Sequence, residues 1–439
     1  MNCANNEKVP PPGRKRLSVC MIVKNEEKHL ANCLRSVQSI ADEIVVVDTG
    51  STDKTITIAR QFNAETHHFR WCDDFAAARN FARSKATGTW ILQIDADEEL
   101  LLEDEAEIKK LLEQQEIDIF FVAIHNKSSS VFGDNQPVIH FLPRLFRNRP
   151  ELIYENPVHE NLRLQGKYKL ANIKLLHHGY NMDEEFLAEK RARNARILLE
   201  KLSENPQDAK INFYLSQHYL YNKDYVAAKK HAECVCRGFE QSIGRNKIFY
   251  LMALNNLAAV ALEEQNDAEV QRICHKAQSC DAMYIMPLFY SAVSYYREEQ
   301  FELSKKTFLE FLSKHEQLNR AESLKFYDFS ANAYLFQVYH LLGKIYRKEG
   351  YAELALDAFS RAVALHPTFW IGFADIGYLF AQKRDWHKAL SYFEKAFTLA
   401  KESPAVTPAN SVLWKDFESL CKTYMRILKQ FESDSYQIQ

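Results

Sequence analysis

Trp90-Ile-Leu-Gln-Ile-Asp95-Ala96-Asp97-Glu98 is a short apolar run that ends in carboxylates. Its length and bounding residues predict a buried strand. Residues i and i+2 of an extended segment point the same way, so Asp95 and Asp97 face one point just past the strand. Two hard oxygen donors with little other protein coordination suit Mg²⁺ or Mn²⁺, which keep positions open for substrate phosphates. A strand running into an acidic helix N-terminus would give the same letters for structural reasons. The residues upstream favour the chemical reading.

Leu17 to Val23 reads as a buried strand, and Asn25-Glu26-Glu27 as an acidic helix start leading into Leu30, Leu34 and Val37. Glu43 to Asp48 is a second buried strand, ended by Thr49-Gly50-Ser51-Thr52-Asp53. Ser51 is the expected N-cap of a helix carrying Thr55, Ile58, Ala59 and Phe62 on one face. A third strand is expected over Thr66 to Phe69, before a helix with Phe75, Ala78, Arg79 and Ala82. Strand, turn and helix repeated this way predict an α/β domain with a mostly parallel sheet, covered on both faces, whose ligands gather at the carboxyl ends of the strands. Asn25, Asp48, Asp53 and Asp95 each sit just past a strand, so they should converge on one crevice. Turn and cap chemistry is the alternative for Asp48 and Asp53.

The chain has 439 residues, too many for one ordinary core. Net charge is −2, from 56 basic and 58 acidic residues, which gives no electrostatic case for nucleic acid or an anionic membrane as partner. Cys234-x-Cys236 lacks zinc-knuckle spacing, and the nine cysteines read as reduced thiols. No apolar run approaches the length of a transmembrane segment, and the start of the chain has no hydrophobic signal core, so the expected location is cytoplasmic. Residues 1–16, with the basic cluster Arg14-Lys15-Arg16, are expected to be a flexible tail.

Beyond Asn205-Pro206 the pattern becomes helical and repeats every 34 residues, pairing Gly343 with Gly377, Ala355 with Ala389, Phe359 with Phe393, Ala362 with Ala396 and Leu365 with Leu399. This resembles the tetratricopeptide pattern, and four or five units are expected. Such stacked helix pairs form a surface for a peptide, a glycan or a second copy of the chain, or they simply extend the flank of the preceding domain. The expected divisions are 17–182 for the α/β domain, 183–206 for a connecting helix and 207–435 for the repeats.

Ser18-Val-Cys-Met-Ile-Val-Lys-Asn-Glu26, Ile44-Val-Val-Val-Asp-Thr-Gly-Ser-Thr-Asp53 and Ile94-Asp-Ala-Asp-Glu98 together resemble family 2 glycosyltransferases of the GT-A fold, over about residues 17–200. The resemblance implies that Asp48 holds the nucleotide base, that Val23, Asn25, Glu26 and Ser51 belong to the nucleoside pocket, and that Asp95 and Asp97 flank the metal on the diphosphate. Asp74-Phe-Ala-Ala-Ala-Arg-Asn80 resembles a segment of one branch in which Arg79 faces the nucleotide sugar. A buried Arg79 paired to Asp97 is the structural alternative. In Tyr154-Glu-Asn-Pro-Val-His159-Glu160, Glu160 is the candidate base that takes the acceptor's proton and His159 a sugar or acceptor contact. Ile173-Lys-Leu-Leu-His177-His178-Gly179-Tyr180 resembles the His-x-Gly-Tyr element closing the domain, with His177 the candidate third metal ligand and His178 its neighbour. The basic helix with Lys190, Arg191, Arg193 and Asn194 would bring cations to the departing diphosphate, or would be a solvated connector.

The combination is similar to bacterial peptide S-glycosyltransferases of the sublancin type. It implies an inverting, metal-dependent enzyme that moves a sugar from a nucleotide sugar, UDP-linked, to a cysteine or hydroxyl of a peptide or protein. Two further readings remain open: a transferase of surface polysaccharide or lipid-linked glycan, and a non-catalytic repeat scaffold with a degenerate transferase domain.

Overall fold

The computed structural model describes residues 15–101, 104–126, 139–178, 184–241, 247–320 and 331–402. The N-terminal tail to residue 14, Gly179-Tyr180 of the closing element and the C-terminal residues from 403 lie outside them. Two compact units divide the chain, the first reaching Ile197 and the second starting at Leu198.

In the first unit, strands and helices alternate as β1 Leu17–Val23, α1 Leu30–Val37, β2 Glu43–Asp48, α2 Thr55–Gln61, β3 Glu65–His68, α3 Phe75–Lys85 and β4 Trp90–Gln93. Then follow β5 Glu98–Leu100, α4 Glu105–Leu111, β6 Ile119–Asn126, β7 Ile139–Arg147, β8 Tyr154–Glu155, β9 Asn161–Leu162, β10 Tyr168–His177 and α5 Glu184–Glu204. The main sheet runs β3-β2-β1-β4-β7-β6-β10-β5, and β8 pairs with β9 apart from it. β1 is parallel to β2 and β4, β2 to β3, and β6 to β10, whereas β7 runs antiparallel to its neighbours and β5 to β10. The strand order turns back on itself between β1 and β4, which opens a crevice at their carboxyl ends. Below it, Val19, Met21, Leu34, Val46, Leu92, Phe120 and Ile173 share one fully buried core. These residues come from apolar strands and from the 3.6-residue stripe of α1, as their spacing predicts.

Two local expectations change, and one strand was not read from the sequence. Residues 24–29 form a turn and α1 starts only at Leu30, whose N–H donates to the Glu26 carbonyl at 2.9 Å; the turn is stitched sideways to the segment after β2, with Asn25 N–H donating to Ser51 Oγ, Glu26 N–H to Thr55 Oγ1 and Glu27 N–H to Asp53 Oδ2. Ser51 therefore spends its oxygen on that loop, and Asp53 Oδ1 receives the Thr55 N–H at the start of α2. The polar stretch around Pro143 and Arg144 is a strand, β7, inside the sheet. Its register against β6 slips, with Phe120 opposite Leu145 but Phe121 opposite Pro143, so Arg144 is an extra residue. A bulge tolerates proline and re-aims the side chain it carries.

The second unit is helical: α6 Ala209–Tyr221, α7 Tyr225–Gln241, α8 Lys247–Glu263, α9 Asp267–Cys280, α10 Met286–Arg297, α11 Phe301–Arg320, α12 Ala331–Lys348, α13 Ala352–Leu365, α14 Trp370–Gln382 and α15 Trp386–Glu402. Consecutive helices pack together, giving five helix pairs among the described residues. The repeat has a steric cause at its close approaches. A Cβ on Gly343 would lie 2.5 Å from the Phe359 ring, and one on Gly377 would lie 3.0 Å from Phe393. Ala355, Ala362, Ala389 and Ala396 are fully buried where the paired helices meet.

Candidate active site

A cavity of about 1210 Å³ opens at the carboxyl ends of β1 and β4. Val23, Asn25 and Glu26 line it after β1, Asp95 and Asp97 after β4, and Phe75 and Arg79 from α3. His159 and Glu160, His177, and Lys190 and Arg193 of α5 complete the wall. Asp48 and Ser51 are absent from this wall. Asp48 is buried and its Oδ1 accepts the Ser51 N–H at 2.9 Å, so the two shape the β2 loop behind Asn25. Asn25, at φ +57°, accepts the Thr52 N–H on its Oδ1.

Arg79 is the centre of the site. Its Nε donates to Glu160 Oε1 at 2.8 Å and its Nη2 to Asp95 Oδ1 at 2.9 Å. The structural alternative for Arg79, a pair with Asp97, is not what forms. Arg144, aimed by the bulge, donates through Nη2 to the other oxygen of Asp95 at 2.7 Å and to Glu98 Oε1 at 2.6 Å. Glu98 Oε2 in turn accepts the Asp95 N–H at 2.9 Å. Burial opposes the charge of Asp95, yet the two guanidinium groups hold its carboxyl well below the usual range. Glu98, only 2% exposed, is pushed up to about 7 by burial, against the pull of Arg144 and with Asp95 adding repulsion. Arg144 and Glu98 had no place in the sequence reading. A lone arginine inside an otherwise strand-like run, beside a proline, was the available signal.

Asp97 has a different partner. Its Oδ2 lies 3.0 Å from His177 Nε2, while the His178 N–H donates to the Asp97 carbonyl. β10 and β5 are antiparallel with His177 opposite Glu98, which brings the imidazole to the Asp-x-Asp turn. Neighbouring residues of an extended chain face opposite ways, and His178 turns to Glu99 instead, at 3.1 Å. Burial disfavours charge on His177, but the bond to Asp97 and the surrounding carboxylates raise its pKa on balance. Among the described residues, no group of three or more His, Cys, Asp or Glu side chains is arranged to hold a metal. Of the three expected ligands, Asp97 and His177 are brought together, and Asp95 is committed to the two arginines. A carboxylate beside an imidazole is a donor pair that fits Mn²⁺ or Mg²⁺ sharing its other positions with phosphate oxygens and water.

An α/β domain with acidic and basic groups gathered at the strand ends around the turn-back point has its ligand site there. Residues 18–168 match the glycosyl transferase family 2 and residues 336–369 match a tetratricopeptide repeat. The chain thus carries a family 2 glycosyl transferase domain followed by tetratricopeptide repeats. A TPR repeat-containing protein of Synechococcus elongatus is 35% identical over 251 residues, 54% of this chain and 61% of that protein. The SPbeta prophage-derived glycosyltransferase SunS of Bacillus subtilis is 32% identical over 219 residues, 47% of this chain and 50% of that protein. The chain therefore spans only half to three-fifths of the length of these curated relatives. Among solved structures, the APC/C hetero-tetramer Cut9-Hcn1 aligns with a TM-score of 0.43 and 13% identity, covering 54% of this chain and 40% of that one. No helix of the described residues is long and apolar enough to cross a membrane.

Proposed function

We propose that this protein transfers a sugar from a nucleotide sugar, with UDP as carrier, to a cysteine or hydroxyl of a peptide or protein, inverting the sugar centre with the help of a divalent cation. The observation that carries this reading is that the Asp97–His177 pair and the Arg79–Glu160 pair open into one cavity of a family 2 domain. Val23, Asn25 and Glu26 would hold the nucleoside, with Asp48 supporting from behind. Asp97 and His177 would hold Mn²⁺ or Mg²⁺, which supplies positive charge beside the diphosphate. Glu160 takes the proton of the acceptor S–H or O–H as the new bond to the anomeric carbon forms. The carbon–oxygen bond to the diphosphate breaks in the same step, and its electron pair leaves on the nucleotide. Arg79 holds Glu160 in place, and Lys190 and Arg193 offer further charge to the leaving group. The repeats would dock the acceptor, and the reaction would take place in the cytoplasm.

Isothermal titration of UDP, other nucleotides and their sugars, with and without Mn²⁺, tests the reading against wild type and Asp97→Ala. Metal-dependent UDP binding that the variant loses is expected. Failure of every nucleotide to bind the wild type would sink it.

A further inference from the structure

Trp71 and Phe75 line the same cavity, yet the nucleotide, cation and base assignments leave them unused. Their ring centroids are 4.7 Å apart and their planes meet at 68°, so together they form an aromatic corner in a wall that also carries Val23, Val158 and the charged groups. The corner is held rigid. The indole N–H of Trp71 donates to Asp73 Oδ1 at 2.9 Å, and Asp73 Oδ2 receives Arg196 at 3.0 Å. The guanidinium of Arg193 lies 5.1 Å over the Phe75 ring. The corner also adjoins the proposed base. The Phe75 N–H donates to the Pro157 carbonyl at 2.9 Å, which fastens α3 to the segment carrying Glu160. Phe75 and Arg79 are four residues apart on α3, and Arg79 grips Glu160. Side chains so spaced are neighbours, with Cβ atoms about 5–6 Å apart.

We propose that Trp71 and Phe75 form the acceptor subsite and that it takes an apolar side chain of a polypeptide, next to the residue that is modified. This rests on the reading of Glu160 as base. A sugar ring stacks on an open, flat aromatic face. Here one ring meets the other nearly at right angles and Arg193 lies over Phe75, so the free space suits a compact aliphatic or aromatic side chain. In an extended peptide a residue one or two places from the nucleophile lies about 3–7 Å along the chain, so a corner fastened to the segment that carries the base is placed to receive it.

The test uses the full chain, UDP with Mn²⁺ as donor-site probe, and a panel of UDP-sugars with short peptides carrying a central cysteine or serine flanked by leucine or by aspartate. Leucine-flanked peptides should have the lower KM. Trp71→Ala and Phe75→Ala should each raise that KM about tenfold and erase the preference over aspartate, as the loss of one apolar contact predicts. UDP affinity should stay within about twofold, since a tenfold change is the step that a lost contact makes. Trp71→Phe, which keeps a ring in the corner, should retain the preference. Loss of UDP binding in Trp71→Ala would assign the corner to the donor and overturn the proposal. So would sugar transfer to glycans, or hydrolysis of the donor, with no peptide accepted. If the wild type binds no nucleotide at all, the transferase reading itself fails and the subsite with it.

Discussion

The imidazole Nε2 of His177 stands 3.0 Å from Oδ2 of Asp97, 80 residues away in the chain, because β10 lies antiparallel beside β5. In the proposed reading this pair, rather than Asp95, would hold the cation. Asp97→Ala and His177→Ala are each expected to abolish the Mn²⁺ dependence of UDP binding, whereas His178→Ala, whose ring faces Glu99, should preserve it. Titration calorimetry with and without chelator reads the difference. An unchanged metal response in Asp97→Ala would remove the assignment.

Arg144 holds two carboxylates at once, the buried Glu98 and the half-buried Asp95, and its own side chain is 8% exposed. Arg144→Ala leaves Asp95 and Glu98 without that cation, and stripping one partner from a buried pair costs about 3–5 kcal/mol. Urea unfolding of the first unit should show a loss of that order. Adding Glu98→Gln to Arg144→Ala should recover part of it, since one stranded charge is then gone. Equal midpoints for the single and double variants would count against this account.

Glu26 brings a pH dependence. Burial, and then repulsion from Asp97, Asp95 and Asp53, raises its pKa from 4.5 to about 7, against the attraction of Lys190. The folded state therefore holds a proton that the unfolded state has released between these values. Its contribution to stability is full below about 4.5 and is lost as pH rises through about 7. In metal-free buffer, the melting temperature of wild type should fall relative to Glu26→Gln across that window. Parallel curves for the two proteins would contradict it.

Two glycines of the helical unit should respond to alanine with opposite signs. At Gly343 the new methyl meets the Phe359 ring at 2.5 Å, and overpacking of this kind destabilises by about 1–3 kcal/mol. At Gly238, inside α7, a Cβ finds nothing within 4 Å. There alanine should stabilise by about 0.4–1 kcal/mol through its higher helix propensity and the narrower unfolded ensemble. Paired denaturant midpoints decide both.

The strands β1, β2 and β4, the helix faces of α1 and α3 and the 34-residue repeat were legible because each depends on local periodicity. Leu30, Leu34 and Val37 recur at helical spacing and are all buried. The loop at 24–29 was misread because Asn25, Glu26 and Glu27 have the letters of a helix start, while their N–H groups are taken by Ser51, Thr55 and Asp53 from a distant loop. The strand β7 is not legible in the sequence, since Pro143 and Arg144 break its pattern and only a bulge against β6 reconciles them with a sheet.

By itself the sequence determined which residues would stand at strand ends: Asn25, Asp48, Asp95 and Asp97 follow apolar runs, and Asn25, Asp95 and Asp97 line the crevice while Asp48 lies behind it. It determined the repeat as well, since Gly343 and Gly377 mark the same close approach one period apart. Tertiary structure decided how the charges pair. Arg79 reaches Glu160 across 81 residues, from α3 to the segment before β9, and Arg144 reaches Asp95 across 49 through a bulge in β7, and no local pattern encodes either contact. A carboxylate's chemistry follows from its partner. Packing therefore bound Asp95 to two arginines and left Asp97 with a histidine.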